Sequence, residues 1–158
     1  MGRIAVGVDG SGPSRRALRW AIEEARLRGA GLDVVCTWSV DYTPWSSSMQ
    51  PGLASAAWTE DVQLLPIENI RANVRAVLTQ LLDDEGLTES GDPPTRGIIV
   101  EGKAGPALVE AGRDADLLVV GARGLGEVRG IFLGSVSLHC VTHAPVSVVV
   151  VRDGPGDA

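Results

Sequence analysis

Residues 121–135 read GARGLGEVRGIFLGS and follow directly on the apolar run ADLLVV. Gly121, Gly124, Gly126 and Gly130 interrupt what would otherwise continue as a buried strand, and a Gly134-Ser135 pair restores order. Glycine is costly to order and is kept where the backbone needs positive φ or where another group must approach it closely. An anion is one such group. Free main-chain N–H groups at a helix start, backed by the positive end of the helix dipole, grip phosphate oxygens. Ser135 would add a hydroxyl, and Arg123 and Arg129 make the loop locally basic in a chain of net charge −6. A plain flexible turn is the rival reading, since 20 of the 158 residues are glycine. Placement after a strand and before a helix favours phosphate.

Asp9-Gly10-Ser11-Gly12 is the second stretch with chemistry in it. Asp9 either accepts hydrogen bonds from a ligand or caps the helix that follows. A nucleophilic role for Asp9 with Ser11 lacks a histidine base in the strand-end loops and a strained serine elbow. Three further patterns fall short. GIIVEGKA (97–104) approaches a phosphate-binding Walker loop, but Ala104 stands where a metal-binding hydroxyl belongs and the intervening residues read as strand. GLGEVRG (124–130) approximates a dinucleotide fingerprint with one residue too many before its last glycine. The acid it requires about 20 residues on would be Asp153, in a polar tail. His139 and His143 in HCVTH stand one helical turn apart, and no other histidine exists to complete a metal site, so a surface or capping role is expected.

The elements that would carry these residues alternate. RIAVGV (3–8) is a compact apolar strand, and a helix follows it, with its start marked by Ser11 and Gly12 and with Pro13 at its first position; Leu18, Ala21, Ile22 and Ala25 recur at helical spacing until Gly29. LDVVCTW (32–38) is a second strand. Residues 40–60 follow neither period and read as a long loop. Ile67, Ile70, Val74, Val77, Leu78 and Leu81 then form one helical stripe that Gly86 ends. GIIVEG (97–102) is a third strand, Pro106 opens a short helix, DLLVVG (116–121) is a fourth strand, SVSLHCVTHA a helix, and VSVVVV (146–151) the last strand. Continuous apolar strands alternating with helices require a parallel sheet covered on both faces. In such a sheet ligands bind beyond the strand ends where the chain order reverses. If the first and fourth strands are neighbours, both glycine-bearing loops meet there.

The size and the 44% hydrophobic content suit one domain with a proper core, so residues 1–158 are expected to form a single unit. An acidic chain lacks the basic footprint that nucleic acid demands. No signal peptide is visible, and no apolar run reaches the length of about 18 residues needed to span a bilayer, so a soluble cytoplasmic protein is expected. Cys36 and Cys140, in apolar surroundings, read as buried free thiols. The β-branched final strand, placed at a sheet edge, would offer a template for a second copy, and a homodimer through residues 146–151 is expected.

Gly121-x-x-Gly124, nine residues, then Gly134-Ser135 resembles the ATP-binding signature of the universal stress proteins, with every spacing kept. VGVDGS, EGKAGPALVEAG, ADLLVVGARG and HAPVSVVVVR are similar to further segments of that family, leaving 40–60 uncovered. The resemblance implies a five-stranded parallel sheet in the order 3-2-1-4-5, a homodimer through the last strand, and bound ATP with magnesium carried by its phosphates. It implies that Asp9 faces the ribose or adenine, that Thr37 contacts the base, and that Gly121, Arg123, Gly124, Gly134, Ser135 and Val136 surround the ribose and phosphates. Val8 and Ser11 join them in the cofactor-binding set. Cys36-Thr37-Trp38 departs from the plainly aliphatic end of the family's second strand. No residue is evident as a base for hydrolysis, so hydrolysis is expected to be slow or absent. Two other classes compete: a dinucleotide-dependent oxidoreductase fragment, and a dimeric interaction module without nucleotide.

Overall fold

The computed structural model describes residues 1–39, 67–124 and 133–152. Five strands form one sheet: β1 (Arg3–Val8), β2 (Gly31–Trp38), β3 (Thr95–Glu101), β4 (Leu117–Gly121) and β5 (Ser147–Val151). Every pairing is parallel and the order is β3-β2-β1-β4-β5. Helices α1 (Gly12–Arg28), α2 (Ile67–Asp84), α3 (Ala104–Ala111) and α4 (Ser135–His143) connect them, with a short 3-10 turn at Gly112–Asp114.

Strand side chains alternate between the two faces, and here both faces are hydrocarbon. Ile4, Val6 and Val8 of β1, Leu32, Val34 and Cys36 of β2, and Leu117 and Val119 of β4 pack with Ala17, Leu18, Ala21 and Ile22 of α1 and Val74, Leu78 and Leu81 of α2. Ala5, Val35, Leu118 and Val120 point the other way, onto Leu108 of α3 and Cys140 of α4. Cys36 and Cys140 are therefore buried free thiols on opposite faces of the sheet. Burial, aided by the neighbouring Asp9 carboxylate, pushes the Cys36 thiol up to about 12. Burial alone pushes Cys140 up to about 11.

The expected elements are present, with shifts at their ends. In α1, Ser11 is the N-cap, its Oγ accepting from Ser14 N–H at 3.3 Å. Gly12 is the first helical residue, and Pro13 stands second. Likewise α3 begins at Ala104, so Pro106 is its third residue instead of its opener. Both prolines are tolerated because the first-turn N–H groups have no intrahelical acceptor. β3 starts at Thr95, two residues before the apolar run, while β4 and β5 each start one residue later than the runs suggest. The edge strands are not covered on both faces: Arg96, Gly97 and Glu101 of β3 are exposed and β5 is only half-buried. The long loop read at 40–60 lies outside the described residues.

At the N-terminal rim of the sheet, Asp33 of β2 is buried between two arginines. Arg3 of β1 donates from Nε to Asp33 Oδ2 at 2.9 Å and from Nη2 to Oδ1, and Arg96 of β3 donates to both oxygens at 2.8 and 2.7 Å. Burial alone would raise the Asp33 carboxyl, but hydrogen bonds from Arg96 and Arg3 outweigh it and hold the group below its ordinary value. No described helix is long and apolar enough to cross a membrane.

Candidate functional site

The opposite rim, at the C-terminal ends of the strands, carries the residues singled out above. β1 leads through α1 and α2 to β2 and β3 on one side, and the chain returns through α3 to β4 and β5 on the other. The reversal falls between β1 and β4, where an open α/β sheet leaves a crevice.

Asp9 is the first residue beyond β1. Its Oδ1 accepts from Ser11 N–H at 2.9 Å, and its own N–H donates to Ser14 Oγ at 3.3 Å. The Ser14 hydroxyl in turn donates to Ser11 O at 3.0 Å. These bonds fix the direction of the Asp9 carboxylate. Its other oxygen, Oδ2, lies where a side chain on Gly124 would stand, 2.7 Å from the position of a Cβ there. Gly124 is glycine because the carboxylate of Asp9 takes that space. Gly121, at the end of β4, is equally close-packed: a Cβ would meet the backbone of Pro13 at 3.0 Å. The two glycines that begin the 121–135 pattern thus let the end of β4 press against the start of α1.

The pattern's second half starts α4. Gly134 is the N-cap, extended at φ −70 and ψ 161, and no side chain caps the helix. The Gly134 N–H is already used within the protein, donating to Ala122 O at 2.7 Å. Ser135 is exposed, and Val136 is half-buried against the core beneath α3 and α4. Ser137, buried, donates its hydroxyl to Gly121 O at 2.6 Å and lies 3.3 Å from Ala122 O. Strand end and helix start are therefore joined directly.

Of the ten residues read as a binding set, Asp9, Ser11, Gly121, Gly124 and Gly134 are interlocked at this junction by the contacts just given. Arg123 is half-buried beside them in the chain, and Ser135 and Val136 open α4. Val8 belongs to the core behind the rim. Thr37 stands one strand over: β1 and β2 pair Val8 with Cys36, so Thr37 is level with Asp9, buried, on the face that α3 and α4 cover. Gly126, Gly130 and Arg129, and the dinucleotide-like stretch with Asp153, lie outside the described residues.

Ser14, Ala122 and Ser137 were not singled out in the sequence. Ser14 and Ser137 share one signal, a serine at the third helical position, which is equally common as an ordinary surface residue. The histidine pair behaves as a helix-end device. The rings of His139 and His143 stack with centroids 4.3 Å apart, and His143 Nδ1–H donates to His139 O at 3.0 Å. Gly97–Val100 of the Walker-like stretch are strand, as its residues suggest, and Lys103 is the N-cap of α3. The described residues include no group of three or more His, Cys, Asp or Glu able to hold a metal ion.

Residues 1–152 match the model of the universal stress protein family. A universal stress protein of Mycobacterium tuberculosis is 32% identical over 151 residues, covering 95% of this chain and 47% of its own length. The chain therefore spans about half the length of that relative. A universal stress protein of Thermus aquaticus is 33% identical over 151 residues, covering 94% of this chain and 97% of its own. Among solved structures, a universal stress protein in complex with cAMP superposes with a TM-score of 0.63 at 27% identity, covering 96% of each chain.

Proposed function

The chain belongs to the universal stress protein family, and from that premise we propose that it binds ATP at the β1–β4 junction and acts in stress response or signalling through its nucleotide-bound state. The observation that carries this reading is the Asp9 carboxylate, aimed by Ser11 N–H and seated against Gly124. A carboxylate so held suits a ribose hydroxyl donor. The start of α4, without a side-chain cap, suits the phosphates across from it. The cAMP complex of a relative at 27% identity supports an adenine nucleotide and makes cyclic AMP the natural competitor.

Asp9, Ser11 and Thr37, with Val8 behind them, would form the nucleoside side of the site. Gly121, Arg123, Gly124, Gly134, Ser135 and Val136 would line its anionic side. Magnesium fits as an ion brought in by the phosphates. Hydrolysis is expected to be slow or absent, since the residue set assigned to the site serves binding. Residues 1–158 act as one nucleotide-binding unit, two copies associate through β5, and the two buried thiols suit the reducing cytoplasm.

Equilibrium titration with magnesium ATP, cyclic AMP, GTP and NAD tests the reading. ATP is expected to bind most tightly, and Gly124→Val to abolish binding by driving the Asp9 carboxylate aside while the circular dichroism spectrum is kept. Tighter binding of NAD would favour an oxidoreductase fragment, and no binding at all an interaction module.

A further inference from the structure

We propose that Ser137 is a positioning residue for the phosphate tail: by clasping the start of α4 to the end of β4 it sets where the helix presents its N–H groups. The proposal rests on the nucleotide reading above and adds to it a residue outside the ATP signature.

Ser137 is the third residue of α4 and is 3% exposed. Helical side chains lean toward the helix N-terminus, and this one leans onto the strand that precedes the helix by more than a dozen residues. Its hydroxyl carries one hydrogen, which Gly121 O receives at 2.6 Å, with Ala122 O at 3.3 Å as a secondary contact. Gly134 N–H donates to Ala122 O at 2.7 Å, one turn earlier. The two bonds tie the start of α4 to the end of β4, close to the rim where Asp9 and Gly124 meet.

The clasp has a second effect, and it is specific to anions. The Gly121 and Ala122 carbonyls present partial negative charge at the end of β4. The Ser137 hydroxyl and Gly134 N–H each place a donor hydrogen against those oxygens and offset part of that charge. Ser14, at the same position of α1, works differently, because its hydroxyl donates within its own turn to Ser11 O. Ser14 also accepts from Asp9 N–H, just beyond β1, at 3.3 Å, but only Ser137, of these two, donates its hydroxyl to a strand carbonyl. A ligand's anionic tail would feel the loss of the clasp, whereas a nucleoside without phosphate would not.

The experiment compares the full chain with its Ser137→Ala and Ser137→Thr variants, each titrated with magnesium ATP and with adenosine. Ser137→Ala is expected to weaken ATP about tenfold, the order of one lost hydrogen bond, and to leave adenosine within about twofold. Ser137→Thr, which keeps the hydroxyl, is expected to restore ATP affinity. Unchanged ATP affinity in Ser137→Ala overturns the proposal while leaving the nucleotide reading intact. Equal losses for both ligands, or no rescue by threonine, overturn it in favour of a purely structural serine. An unvaried chain that binds neither ligand overturns the nucleotide reading itself. Should Ser137→Ala melt below the assay temperature, Ser137→Cys, similar in volume and a weaker donor, replaces it: a loss confined to ATP supports the proposal and equal affinities refute it.

Discussion

A carboxylate at Asp33 sits amid three strands, with Arg3 of β1 on one side and Arg96 of β3 on the other. Its side chain is 7% exposed, so removing its charge would leave two guanidinium groups without their shared partner. Because Arg96 is half open to water, the expected cost of Asp33→Asn at pH 7 is about 2 kcal/mol, below the range for a fully buried pair. The folded carboxyl lies below its ordinary value, so its contribution is present above roughly pH 4 and is lost as pH falls through the folded value. Urea midpoints of the two proteins should therefore differ at pH 7 and draw together on acidification; a gap that stays constant as pH falls would refute this account. In the sequence Asp33 is one polar letter in an apolar run, and its partners lie 30 and 63 residues away. Nothing local announces that trio. Asp9 and Gly124 could be singled out as candidates by contrast, because residue type and position in a turn mark each of them, although their contact with each other needed the fold.

At the scale of elements, α2 shows what periodicity reaches. Val74, Leu78 and Leu81 recur on one face and all three are buried on the sheet, whereas Thr79 is exposed. Leu81→Ala is expected to cost about 3 kcal/mol through the cavity it leaves, against less than about 0.5 kcal/mol for Thr79→Ala. Thermal or urea unfolding of the two variants checks the difference, and equal costs would mean that the stripe is not the buried face. Interior positions such as these are legible because a helix repeats its exposure every turn. Ends are less so. β3 begins with Thr95-Arg96 because the pairing of Arg96 with Asp33 across the strands lets a charged residue join the sheet. α3 begins before Pro106 because a first-turn proline gives up no bond.

At the scale of the whole molecule, β5 pairs with β4 and is the last strand in the sheet order. Its half-buried valines and its outer edge are what a second copy would extend. Successive N–H groups alternate across a strand, so one of Val148 and Val149 directs its N–H away from β4. Sizing in solution should find a dimer for the unvaried chain. One of Val148→Pro and Val149→Pro should elute as a folded monomer, while the other loosens the β4 pairing. A dimer that survives both substitutions lies elsewhere on the surface.

Alternation of apolar strands and amphipathic helices, the glycine pattern after the fourth strand and the two unpaired thiols could all be read from the chain by itself, since periodicity, backbone freedom and burial tendency act within a few residues. The universal stress protein resemblance added the strand order that the fold displays. Tertiary structure alone decided which residues became neighbours: Asp9 against Gly124, Ser137 beneath Gly121 and Ala122, Asp33 between Arg3 and Arg96. Those contacts depend on strand register and on which helix covers which face, and register emerges only when the whole sheet has assembled.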